Sequence, residues 1–212
     1  MARATKEEAL ETRNRIIDAA EEVIFARGLA HTSLADVADA ANVTRGAIYW
    51  HFKNKADLFE AICERIRLPM ETLMATPAPQ FANDPLGHLR STWVHLLQDA
   101  VHNQRTRKVL DILFLKCELV DREDPIWLRQ NECYLNGLDT MGRILNDAIA
   151  AGQLPADLNT RLAVLTLHSH IIGLLNNWLF SPGSFDLAEV AEPLIDACLD
   201  SLRYAPALRL KK

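Results

Sequence analysis

The 212-residue sequence holds only four cysteines and eight glycines, and its net charge of −5 shows no surplus of cations. It is also read as lacking any apolar run that approaches the roughly 18 residues of a membrane span. Each shortage excludes something. Cys63, Cys117, Cys133 and Cys198 stand apart within apolar helical patterns, without a Cys-x-x-Cys pair, so free thiols in a reducing compartment are expected rather than a zinc ribbon or a disulfide framework. No glycine-rich phosphate loop occurs, no nucleophile stands beside a base, and no paired metal-ligand motif is present, so neither an enzyme nor a bound cofactor or metal is expected. The acidic balance argues against indiscriminate coating of nucleic acid, which needs many phosphate-neutralising cations. The start, Met1-Ala-Arg-Ala-Thr-Lys-Glu-Glu, turns polar at once and lacks the apolar core of a signal peptide; a cytoplasmic protein is expected.

Strand signals are scarce too: β-branched runs are short and period-2 alternation does not persist. The 3.6-residue period governs instead, and with 49 % hydrophobic residues the chain can bury a substantial core. The prediction is an all-α protein of about nine helices. Thr5-Lys-Glu-Glu8 reads as a capping box for a first helix, whose Ile16, Ile17, Ala20, Val23 and Ile24 share a face and which stops at Arg27-Gly28. Ser33 caps a short helix to about Ala41, Thr44 another to about His51, and Asn54 a longer one that Pro69, Pro77 and Pro79 end. Asp84-Pro85 and Asp124-Pro125 each supply an N-cap and a first helical residue. Further helices are predicted over about 86–102, 104–120, 125–151, 158–180 and 186–204.

Leu34 to Phe52, LADVADAANVTRGAIYWHF, has the makings of a helix-turn-helix. Two helices that cross closely need a small residue at the approach, which Ala38 supplies, and a turn residue tolerant of positive φ, which Asn42 supplies. Leu34, Val37, Val43, Ile48 and Phe52 are spaced to lock the pair together. The remaining face of the second helix offers Thr44, Arg45, Gly46, Ala47, Tyr49 and His51. Thr44 stands at the helix N-terminus, where hydroxyl, amides and dipole favour a phosphate. Arg45 can bond guanine bidentately, Gly46 and Ala47 let the helix sink into a groove, and Tyr49 and His51 can reach a phosphate or a base edge. Lys55 adds a further cation, and Val43 to Lys55 carries no carboxylate. Taken by itself the pattern is also compatible with an ordinary helical hairpin bearing a solvated cationic face.

Other polar clusters carry less. His88, His95 and His102 repeat every seven residues, about 10 Å apart along a helix, too far to share a metal. Asp121, Glu123 and Asp124 before Pro125 are explained by capping.

The stretch TRGAIYWHFKNKADL, Thr44 to Leu58, resembles the recognition helix and following turn of the TetR family of regulators, in particular its AcrR-like branch of multidrug-efflux repressors. The resemblance extends through ARATKEEALETR (Ala2 to Arg13), DPLGHLR (Asp84 to Arg90), ILFLKCEL (Ile112 to Leu119), GQLPADL (Gly152 to Leu158) and GLLNNWLFSPGSFDL (Gly173 to Leu187). Asn42 departs from the family's usual glycine. The resemblance implies a DNA-binding domain over 1–53 and a ligand-binding and dimerisation domain over 54–212. It implies a repressor that double-stranded operator DNA holds and a small hydrophobic effector releases, with the operator controlling an efflux-pump operon. Matching the chain to the family pattern gives effector-contact candidates Met70, Leu89, Leu96, Leu110, Phe114, Cys117, Met141, His168, Ile171, Ile172 and Asn176, of which His168 and Asn176 are the polar anchors. Residues 162–180 are apolar around most of a helix, which demands burial on more than one side. With Leu187, Val190, Leu194, Cys198 and Leu202 of the last helix they could form half of a four-helix homodimer interface. A regulator answering to a fatty acid or metabolite, and a helical enzyme using the C-terminal cavity, are the other readings.

Overall fold

The computed structural model describes residues 6–210, and among them it holds nine α-helices and no strand beyond one isolated bridge. The Thr5 end of the predicted capping box lies outside the described residues. The helices are α1 (Lys6–Arg27), α2 (Leu34–Ala40), α3 (Arg45–His51), α4 (Lys55–Ala75), α5 (Pro85–His102), α6 (Gln104–Leu115), α7 (Pro125–Ala150), α8 (Thr160–Phe180) and α9 (Leu187–Tyr204). They sort into two compact units, one from Met1–Arg67 and Arg105–Arg129, the other from Leu68–Gln104 and Gln130–Lys212.

In the first unit, Ile16, Ile17, Ala20 and Ile24 of α1 bury one face against Val37 and Ala38 of α2, Ile48 of α3, Leu58 and Ile62 of α4, and Val109 and Ile112 of α6. Ser33 and Asp36 form a reciprocal capping box at the start of α2, and the bond to Ser33 holds the Asp36 carboxyl below its ordinary pKa. Asn54 Oδ1 accepts from the Asp57 amide at 2.8 Å to open α4. Glu21, 3 % exposed, is paired to Arg65 of α4 and lies 3.6 Å from Arg105. Burial still outweighs those cations and raises its pKa.

In the second unit α5 packs on α9, and α9 on α8. Arg90 grips Asp196 with two bonds, Nε to Oδ1 at 2.5 Å and Nη2 to Oδ2 at 2.8 Å, and reaches Glu192 at 3.0 Å. The start of α5 is clasped from a distance: Asp84 Oδ1 accepts from Gly87 N (2.8 Å) and Gln153 Nε2 (2.5 Å), while Gln153 Oε1 accepts from Leu86 N (3.1 Å). A Cβ on Gly87 would lie 2.0 Å from Asp84 Oδ2, so the clasp requires glycine there. Residues 208–210 lie over the turn before α8, Leu210 N donating to Asp157 O and Asn159 N to Leu208 O, both at 2.8 Å.

Several expectations need correction. Pro69 does not end α4, which runs through it to Ala75. A proline removes one donor and crowds one carbonyl, and the helix resumes beyond it until Pro77 and Pro79 meet a polar stretch. Helix α6 stops at Leu115 rather than 120, because Lys116 O turns away to accept from Leu29 N at 2.9 Å. His88 is buried, its Nε2 3.3 Å from the Met74 carbonyl, while His95 and His102 are exposed. Finally, α8 is long and apolar enough by composition to cross a membrane, contrary to the expectation that no segment is. Its Ala163, Leu167, Ile171 and Leu175 are instead buried within the second unit, which accounts for the apolar composition.

Candidate nucleic-acid interface and effector site

The turn between α2 and α3 fixes the interface. Asn42 has φ +53°, the left-handed region the sequence reading required of it, and no other non-glycine described residue does. Its amide donates to Asp39 O (3.1 Å) and the Val43 amide to Ala38 O (3.0 Å), the two bonds of a Schellman cap that satisfies the last carbonyls of α2 and turns the chain at once. Thr44 then starts α3 from an extended backbone, its Oγ1 accepting from the Ala47 amide at 3.1 Å. Ile48 and Phe52 turn inward and are buried.

With that face spent, the opposite one is free. Thr44, Arg45 and Gly46 are exposed, Tyr49 is 59 % exposed, and Ala47 and His51 are half-buried at its margin. Arg45 makes no hydrogen bond or ion pair among the described residues. A Cβ on Gly46 would meet only Thr44 Oγ1, at 3.9 Å, so nothing within the chain asks for glycine at this helical position. His51 lies edge-on to Trp50 with ring centroids 4.5 Å apart; burial chiefly, and the Arg13 charge next, lower its pKa. It offers a neutral ring rather than a cation. Lys55 is already engaged: its Nζ donates to Leu29 O at 2.9 Å, tying α4 to the end of α1.

Sequence reasoning missed Trp50, the most exposed aromatic of α3 at 72 %. Its position was available from the helix period, since it lies two residues from Ile48 and therefore roughly opposite the buried stripe.

The effector candidates are divided between the units. Leu110, Phe114 and Cys117 belong to the first, where Leu110 is buried and Cys117 packs on the core; burial raises the Cys117 thiol to about 11. Met70, Leu89, Leu96, Met141, His168, Ile171, Ile172 and Asn176 belong to the second. Leu89, Leu96, Met141 and Ile171 are buried there, while Met70 and Ile172 are half-buried. His168 is half-buried, edge-on to Tyr134 at 5.1 Å, and burial lowers its pKa. Asn176 is exposed, off the buried face of α8, which runs through Ile171, Leu175 and Trp178. Two grooves of the second unit, about 610 Å³ between α7 and α8 around Tyr134 and Val164, and about 470 Å³ around Phe81 and His88, are lined by none of the candidates.

The apolar stripe of α9 is divided by burial. Leu187, Cys198 and Leu202 are buried in the chain's own core, leaving Val190 and Leu194 half-buried. Large apolar side chains that do stay exposed on α8 are Leu162, Leu165 and Phe180.

A short helix locked by a Schellman turn, with a polar, unpaired outer face, defines a DNA-binding transcriptional regulator of the helix-turn-helix class. Residues 16–62 match the family of bacterial regulatory proteins known as tetR, and residues 84–204 match the C-terminal region of MAATS-type transcriptional repressors. The chain belongs to the TetR family. It is 41 % identical over 209 residues to the HTH-type transcriptional regulator AcrR of Shigella flexneri, covering 99 % of this chain and 97 % of that one. With the regulator TtgR of Pseudomonas putida it shares 40 % identity, covering 99 % and 100 %. Among solved structures, NalD, the secondary repressor of the MexAB-OprM multidrug efflux pump in Pseudomonas aeruginosa, superposes with a TM-score of 0.83 at 34 % identity, over 94 % of this chain and 100 % of that. A complex of SmeT with triclosan gives 0.82 at 30 % identity, over 95 % and 96 %.

Proposed function

We propose that this protein is a cytoplasmic, homodimeric repressor of a multidrug-efflux operon, released from its operator by small hydrophobic effectors. The observation that carries the reading is the free outer face of α3, on which Thr44, Arg45, Gly46 and Tyr49 are exposed and Arg45 is uncommitted. The names of NalD and the triclosan complex of SmeT support the efflux and effector parts. We assign DNA reading to 1–53, with Thr44, Arg45, Gly46, Ala47, Tyr49 and His51 as contacts. Effector binding and pairing fall to 54–212, where Leu89, Leu96, Met141, His168, Ile171 and Ile172 are the contact candidates and the exposed side of α8 with α9 is the pairing face. Two α3 helices spaced about one DNA turn apart fit a near-palindromic operator. An effector that binds another dimer geometry better draws the population away from that spacing, by no more than its differential affinity for the two.

The test uses an operator duplex recovered by selection from random sequence. Arg45→Ala lowers specific affinity by about 1–3 kcal/mol and relaxes preference at one base pair. Unchanged affinity in an anisotropy titration at fixed salt removes Arg45 from the reading. Release by triclosan but not by long-chain acyl compounds supports a drug-like effector; the converse points to a lipid-responsive regulator.

A further inference from the structure

The arginines of the second unit are Arg90, Arg143, Arg161, Arg203 and Arg209, and carboxylates outnumber them. Three are taken: Arg90 by Asp196 and Glu192, Arg203 by Asp200 at 3.0 Å, and Arg209 by Asp157 at 3.5 Å. The other two have no carboxylate partner among the described residues. The Arg161 side chain, near the start of α8, makes no hydrogen bond or ion pair there, and that of Arg143 on α7 donates only to Thr140 Oγ1 of its own helix, at 2.9 Å. Asp139 stands four residues before Arg143, a spacing that suits an ion pair on a helix, yet it pairs with neither. Both uncommitted arginines line one groove, that of about 610 Å³ between α7 and α8.

The rest of the lining is largely apolar. Val164 is buried there, while Leu135 and Leu165 remain 52 % and 39 % exposed. Gly142 keeps the groove open: a Cβ on it would make one ordinary contact, 3.9 Å from Val164 Cγ2, so the fold admits a side chain where the sequence supplies none. A groove of this volume holds a drug-sized molecule. Exposed leucines favour a hydrocarbon body, and the planar fork of a guanidinium matches a carboxylate.

We propose that the α7–α8 groove is a second ligand site, for a small amphipathic carboxylate. Arg143 and Arg161 hold the head group, and Leu135, Val164 and Leu165 receive an alkyl or aryl body. The site is separate from the effector reading, since none of the effector candidates lines it. Leu165 also lines the groove between α8 and α9, so the site borders the pairing face assigned above.

The test is calorimetric titration of the full chain at fixed salt with decanoate, decan-1-ol and decyltrimethylammonium, which share a chain and differ in head group. The unsubstituted protein binds decanoate more tightly than the other two. Replacing both cations, Arg143→Gln with Arg161→Gln, lowers decanoate affinity about tenfold and leaves that for decanol within about twofold. Gly142→Met fills the groove from a position the fold tolerates, and it weakens decanoate too. Decanoate binding that either substitution leaves unchanged lies elsewhere in the chain, and the proposal falls. It falls equally if decanoate does not bind, whether or not phosphatidylglycerol vesicles do, or if decanol loses as much affinity as decanoate in the glutamine pair. Loss of the homodimer in that pair, read by sedimentation equilibrium, would mean that a second copy covers the groove, and would also overturn the proposal.

Discussion

Glycine in a helix costs about 0.5–1 kcal/mol relative to alanine, and Gly46 is the second residue of the seven-residue α3. Its φ is not positive, since the positive-φ glycines are Gly28, Gly152 and Gly183. A methyl group there would make one ordinary contact, 3.9 Å from Thr44 Oγ1, so the fold gains from Gly46→Ala. The expected gain is about 0.5 kcal/mol, the lower figure because the site lies in the first turn, and the melting temperature rises by about 1–2 °C. On the outer face the same methyl stands between Arg45 and Ala47, where a helix seated in a major groove has its backbone closest to the base edges. Overpacking of that kind costs about 1–3 kcal/mol, so operator affinity falls at least several-fold. Calorimetric melting and anisotropy on the operator duplex, both at one salt concentration, read the two effects. A variant that is more stable and binds operator as tightly as before would show that α3 is not pressed into a groove at Gly46. A variant less stable than the parent would show that the local helix geometry is wrong.

Asn42→Ala should destabilise the first unit by about 1 kcal/mol, because alanine pays the left-handed penalty without a compensating side chain, whereas Asn42→Gly should be neutral or slightly stabilising; equal melting temperatures for the two would refute the locked turn. Lys55→Met loses the charge-assisted bond to Leu29 O, so stability falls by about 1.5 kcal/mol while the salt dependence of operator binding keeps its slope. A slope shallower by about 0.9 in log–log units would instead make Lys55 a phosphate contact. The His168 pKa is lowered by burial, so the unfolded chain takes up its proton first. Stability is therefore unaffected by His168 above the ordinary histidine pKa and declines as pH falls through 6.5 toward the lowered value; His168→Asn should make that part of the pH–stability curve shallower, the likewise lowered His51 supplying a remainder, and an unchanged curve would rule His168 out as a source.

The reading head was legible because its constraints are local. A turn that must reach positive φ admits few residues, a helix start needs an oxygen-bearing cap, and both choices are written within three or four residues of where they act, as at Asn42, Ser33 and Thr44. The same holds for the Asp84-Pro85 start. Positions decided by distant partners were not legible. The end of α6 depends on Leu29, far away in sequence, claiming the Lys116 carbonyl. The α9 stripe could not be divided between the chain's own core and a partner, since both burials ask for the same apolar side chains. Asn176 interrupts an apolar run, which made it resemble a polar anchor. In the folded chain it stands on the exposed side of α8.

The side chain of Gln153 follows the left-handed Gly152 at the end of α7, yet it holds Asp84 and the Leu86 amide at the beginning of α5. Neither terminus can fray without breaking bonds that belong to the other. Amide protons of the two turns should therefore exchange with solvent at a common free energy of opening, as a single cooperative patch joining residues nearly seventy positions apart in the chain.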